Sequence, residues 1–182
     1  ARTLGGYFGD KFGKLRGLKG RVWFLAAILI VEGLMLSMFS LATGLFVGFA
    51  LLIAFSLAVQ MAEGATFSVV PFVNRKAIGS ISGIVGAGGN FGAFIAALFL
   101  SSKSAVAEKA AVIASEKLGP EAVAAAQSAA AASAVSAGYL VIGGLIVVSG
   151  MVALAIRFST EDEKVAEVEL SKLQPELVRI DN

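Results

Sequence analysis

Four long stretches of this chain carry almost no charge, and they dictate what it can fold into. They run from about Val22 to Leu41, Gly44 to Val73, Ile78 to Leu100 and Val135 to Ile156. Crossing the hydrocarbon core of a bilayer takes about 20 apolar residues, and all four stretches reach that length. No water reaches the hydrocarbon core, so each stretch must satisfy its own backbone N–H and C=O groups, which makes it a helix. Composition agrees: 57% of residues are hydrophobic, only 15% are charged, and mean hydropathy is +0.85. An ordinary soluble domain carries about 25% charged residues. The expected fold class is therefore all-α integral membrane, with four transmembrane helices embedded in a lipid bilayer.

Two absences narrow the chemistry. The chain has no Cys and no His, so disulfides, thiolate or imidazole metal sites and Ser-His catalysis drop out. No catalytic constellation appears, and the expectation is a protein that is not an enzyme and uses no metal or cofactor. The opening residues match neither a signal peptide nor a transit peptide, and the start at Ala1 reads as truncation of a longer chain.

The charges between the spans give an orientation. Lys11, Lys14, Arg16, Lys19 and Arg21 precede the first span, and Arg75 and Lys76 separate the second from the third. Basic loops stay cytoplasmic, so both clusters belong inside. A tight turn at 42–44 then lies outside, as does the segment 101–133, and the C-terminus returns to the cytoplasm. Trp23 sits at interfacial level. The basic cluster beside a membrane helix reads as a topology determinant, with no nucleic acid partner.

The chain divides accordingly. Residues 1–21 hold the end of a preceding helix and a cytoplasmic basic loop, and 22–100 hold three transmembrane helices. Residues 101–133 form an Ala-rich extracytoplasmic insertion, 134–157 the last transmembrane helix, and 158–182 a charged cytoplasmic tail. The insertion favours helix, interrupted at Gly119-Pro120, and reads as a helical hairpin or a mobile segment. In the tail, Thr160-Glu161-Asp162-Glu163 fits a helix capping box and also an acidic phosphorylation site.

Ionisable groups within spans are costly and usually functional. At a rise of about 1.5 Å per residue, Glu32, Glu63 and Asn90 lie roughly 16–18 Å into their helices, and Arg2 roughly 12 Å in. That is close to the midplane of a core about 30 Å thick, where transporters bind substrate. On the second helix Ser56, Gln60, Glu63, Gly64 and Phe67 share one face, which should point into the bundle. Glu32 and Glu63 are each open to two readings, as candidate proton-coupling groups or as parts of a polar cluster that glues helices together, and either is protonated or paired with an arginine. The third helix is more distinctive. Gly79, Gly83, Gly86, Asn90 and Ala93 form one narrow stripe, with Ile81, Ile84, Phe91 and Ile95 roughly opposite. Such a stripe serves close helix packing, or lets a small ligand approach backbone dipoles and the Asn90 amide. A dinucleotide site is excluded, because no strand precedes the glycines and their spacing differs from G-x-G-x-x-G.

Two motifs carry a resemblance. Gly6-Tyr7-Phe8-Gly9-Asp10-Lys11-Phe12-Gly13-Lys14 resembles the G-x-x-x-D-[RK]-x-G-[RK] loop of the major facilitator superfamily. The run from Gly79 to Ala93 resembles the second nitrate signature of the nitrate/nitrite porter family, G-x-V-S-G-x-V-G-A-x-G-N-x-G-G, with Ile81 in place of Val and Ala93 in place of the last Gly. The stretch Ala62 to Val73 also looks like the tenth helix of eukaryotic-type nitrate porters. The resemblance covers residues 1 to about 100.

It implies a major facilitator fragment: the end of helix eight, then helices nine to twelve, with an N-terminal half missing that would complete the carrier. It implies secondary active transport of nitrate or nitrite across the plasma membrane, by symport with protons or by exchange. Arg2, in Ala1-Arg2-Thr3-Leu4-Gly5-Gly6, matches the family's anion-binding arginine, although Thr3 stands where Pro is usual. A guanidinium fork suits a planar monoanion. Gly83, Gly86, Gly89 and Asn90 are the accompanying candidate substrate contacts. The alternatives are a major facilitator carrier of another small anion, or a small four-helix membrane scaffold.

Overall fold

A computed structural model of the chain describes residues 1–72, 77–115, 119–156, 158–159, 163–164 and 168. Helix α1 runs Arg2–Leu41, α2 Leu45–Val69, α3 Ile78–Ser115 and α4 Pro120–Leu154, with the 3₁₀ turn Val70–Phe72 after α2. Among the described residues there is no strand, and all four helices are long and apolar enough to cross a membrane. The all-α membrane expectation holds. Arg75, Lys76, Glu116, Lys117, Thr160, Glu161 and Asp162, on which parts of the topology, insertion and capping readings rest, lie outside the described residues.

The 11–21 stretch, read from sequence as a basic loop, is helical on both sides of a two-residue break. Arg16 (φ −140°, ψ 21°) and Gly17 (φ 62°, ψ −150°) leave helical geometry inside α1. The positive φ at Gly17 suits glycine, and an added Cβ there would meet nothing within 4 Å. The requirement is conformational, not steric. Across the break the chain folds back on itself. Phe8 and Phe24 rings lie 6.1 Å apart, and Phe12 stacks on Phe24 at 5.4 Å. A continuous helix would hold residues 8 and 24 about 24 Å apart. So α1 is a helical hairpin: a first arm of 2–15 and a second arm beginning at Leu18.

Small residues let the helices touch. Gly5 sits on the backbone of Met61 and Gly64 on the backbones of Arg2 and Gly6, which joins the first arm to α2. Gly33 and Gly143 face each other, and Gly150 abuts Ala26 and Ile30, which joins the second arm to α4. Ser40 and Ser136 bond reciprocally, each hydroxyl donating to the other's carbonyl, at 2.7 and 2.6 Å. Phe39 and Tyr139 meet edge to face at 5.7 Å. The buried core is accordingly small-residue rich, with Ala26, Ala58, Ala62, Ala65 and Ala153 beside Leu18, Val22, Leu36 and Val70. This is how helices associate where lipid removes the hydrophobic drive. The second arm and α4 run antiparallel, since Gly33 meets Gly143 while Gly150 meets Ala26 and Ile30.

Helix α3 packs along α4, where Leu100 covers Gly138. None of the residues in its most apolar window is buried. Helices α3 and α4 continue past 100 and begin well before 134, so 101–115 and 120–133 are prolongations of the two spans. At 38 and 35 residues they are roughly 57 and 52 Å long, more than a hydrocarbon core of about 30 Å accommodates. Gly119 at φ 96° with Pro120 at the helix start opens α4 where the sequence places a break.

Candidate anion site at the α1–α2 contact

Arg2 and Glu63 are brought together. One guanidinium nitrogen of Arg2 lies 3.0 Å from Glu63 Oε1, with the two side chains 53% and 42% exposed. The guanidinium also sits over the Phe67 ring, 5.0 Å from its centroid. Glu63 and Phe67 are one turn apart on α2, so they present a carboxylate and an aromatic face to the same cation. Gly5 and Gly64 make this possible: a Cβ at either would overlap the opposite backbone. Sequence reasoning did not assign them that role. The regular spacing of Gly5, Gly9 and Gly13 on the first arm was a usable sign of a packing seam.

The polar face of α2 is divided. Gly64 is buried against the first arm and Glu63 and Phe67 engage Arg2, whereas Ser56 and Gln60 are exposed. The expectation that the whole face points into the bundle is met only at its C-terminal end. Glu32 is buried, beside the Gly33–Gly143 contact between α1 and α4. Among the described residues it makes no ion pair, and it is not joined to Arg2.

Gly83, Gly86, Gly89 and Asn90 are exposed on α3, and a Cβ at any of those three glycines would meet nothing within 4 Å. The glycine stripe is therefore not a helix-packing seam among the described residues. It is an open strip of backbone with one amide side chain. No hydrogen bond or ion pair links it to Arg2 or Glu63 among the described residues.

Arg21 departs furthest from its sequence reading. It is buried, not a loop charge. Its Nη1 donates to Ser68 O at 2.6 Å and pairs with Asp10 at 2.8 Å. Its guanidinium covers the Phe72 ring at 4.6 Å, and its side chain lies against Gly13. One side chain thus ties both arms of α1 to the end of α2. The neighbouring Lys19 pairs with Glu163 at 2.9 Å.

Comparison with known proteins finds sequence similarity over part of the chain. No family model and no solved structure matches the chain. It is 38% identical over 98 residues to high affinity nitrate transporter 2.5 of Arabidopsis thaliana, covering 54% of this chain and 20% of that protein. It is 38% identical over 96 residues to nitrate transporter 2.2 of Chlamydomonas reinhardtii, covering 52% and 19%. It is also 38% identical over 96 residues to the nitrate/nitrite transporter NrtP of a Picosynechococcus strain, covering 51% and 17%. The chain thus spans about a fifth of the length of these curated relatives. Over about half its length, this chain is similar in sequence to proteins named as nitrate and nitrate/nitrite transporters.

Proposed function

We propose that these residues form the C-terminal part of a secondary active transporter of nitrate, and of nitrite, working within a longer chain of the major facilitator type. In this reading the protein lies in the plasma membrane with its C-terminus in the cytoplasm. Arg2 binds the anion, and the open face carrying Gly83, Gly86, Gly89 and Asn90 lines the substrate path opposite the N-terminal half. The hairpin of 101–133 projects on the extracytoplasmic side.

The observation that carries the reading is the Arg2–Glu63 pair. Nitrate and a carboxylate present the same planar pair of oxygens to a guanidinium fork. A site in which Glu63 occupies Arg2 is thus a site that nitrate enters by replacing Glu63. Released from Arg2, Glu63 is the group that takes up a proton. By linkage, a proton that favours nitrate binding is itself favoured by nitrate, which is the thermodynamic core of symport. Glu32 remains a second candidate for proton coupling.

The test is uptake by the longer protein in proteoliposomes. Nitrate should enter in preference to chloride and formate, driven by an inward proton gradient. Equal uptake of all three would identify a general small-anion carrier. Nitrate flux through vesicles holding only these 182 residues would show that no second half is needed.

A further inference from the structure

The reversal of α1 builds a second feature that the transport reading does not use. Phe12 and Leu15 from the first arm, and Trp23, Phe24 and Ala27 from the second, enclose a groove of about 420 Å³ with Arg16 at its rim. Its walls are apolar and open: Leu15 is 73% and Trp23 51% exposed. The Arg16 guanidinium lies over the Trp23 ring, 5.1 Å from its centroid. Stacking fixes the cation beside the groove without neutralising it.

The local charges are unbalanced. Asp10 is taken by Arg21, and Lys19 by Glu163. Lys11, Lys14 and Arg16 are exposed and make no ion pair among the described residues. Of these three, Arg16 lines the apolar slot.

The slot also continues along the helix. Trp23, Ala27, Val31, Leu34, Met38 and Leu41 are all exposed and recur at intervals of three or four residues, which places them in one stripe. The stripe is roughly 27 Å long, close to the thickness of a hydrocarbon core. A basic, aromatic end and a long apolar strip match a molecule with a charged phosphate head and an acyl tail.

We infer that this groove is a binding site for an anionic phospholipid, with the phosphate on Arg16 and one acyl chain along Leu15, Trp23 and the stripe below it. The inference needs only that the chain is embedded in a bilayer, so it stands apart from the choice of transported anion. Arg16, the cation that lines the groove and makes no ion pair among the described residues, selects an anionic over a zwitterionic headgroup.

Trp23 is the single tryptophan of the 182-residue chain, so its fluorescence reports on this groove. The chain is reconstituted in phosphatidylcholine bilayers with rising fractions of dibrominated phosphatidylglycerol or dibrominated phosphatidylcholine. Brominated phosphatidylglycerol should reach half-maximal quenching at about a fivefold lower mole fraction, the preference one basic residue confers near an anionic surface. Arg16→Gln should abolish that preference, and Arg16→Lys should retain most of it. In the unaltered chain, about 0.5 M salt should also weaken the preference by screening. Equal quenching by the two lipids would overturn the inference, leaving an ordinary lipid annulus. So would a preference that survives Arg16→Gln, or a Trp23 that neither lipid quenches because another segment fills the groove.

Discussion

Replacing Glu63 by Gln in the longer protein isolates the competition at Arg2. The substitution keeps the shape of the side chain and removes its charge. The ion pair it breaks is 3.0 Å long but roughly half exposed on both sides. An exposed pair of this kind is worth about 0.5–1 kcal/mol, not the several kcal/mol of a desolvated one. Nitrate no longer has to displace a carboxylate, so it should bind about two- to fivefold more tightly. Protonating Glu63 does the same thing to the guanidinium as substituting it. If this carboxylate is the coupling group, nitrate affinity of the unaltered protein should be higher at lower pH, while that of Glu63→Gln should stay flat. The flat profile would be accompanied by loss of proton-driven accumulation, because the variant has no proton to carry at this position. The assay is nitrate binding by isothermal titration calorimetry across a pH series, paired with uptake under an imposed proton gradient. Weaker nitrate binding in Glu63→Gln would refute the reasoning, because it would make Glu63 a support for the site. An unchanged pH profile would refute it as well.

Four further substitutions test other parts of the account. Arg2→Lys replaces a two-pronged donor by a point charge and should weaken nitrate binding at least tenfold in the same calorimetric assay; unchanged affinity would remove Arg2 from the site. Gly143→Val would drive a side chain into Gly33 and Ser37, where even a Cβ meets Ser37 Oγ at 2.5 Å and Gly33 O at 2.7 Å. Overpacking of this sort costs about 1–3 kcal/mol, and should lower the thermal unfolding midpoint in detergent. Gly17→Ala meets no neighbour, yet should lower the same midpoint by a strain of about 1–3 kcal/mol from its positive φ. Gly88→Ala, in open space on a helix, should be neutral or slightly stabilising, and equal losses at both positions would contradict the conformational argument.

The spans were legible because their constraint is local. A helix in lipid satisfies its own backbone, so an uncharged run of sufficient length reports it without reference to any partner. The turn at 42–44 and the break before Pro120 were legible for a similar reason, since glycine and proline act on their own backbone. Arg21 was not legible. Its composition matches the other basic residues of 11–21, and only the folding back of α1 brings Asp10 and Ser68 within its reach. The loop itself was overestimated because charge density suggests solvent, whereas long basic side chains on a helix end reach solvent without unwinding it. For Glu63, the sequence left pairing with an arginine as one of two states, and Arg2 is the partner. The glycines of α3 suggested close approach to another helix, but among the described residues the strip faces open space.

The two-residue break in α1 has a mechanical consequence. From Leu15 to Leu18 the chain spans three Cα–Cα steps, so the ends of the two arms cannot separate by more than about 11 Å. Arg21 removes even that slack by tying Asp10 of one arm and Ser68 of α2 to the base of the other. Motion cannot be absorbed at this end of the molecule. If either arm tilts, the pivot stays fixed and the displacement grows toward the opposite end, where Ser40 holds Ser136. The two arms are thus pinned to each other beside Gly17 and least constrained by this joint at their far ends.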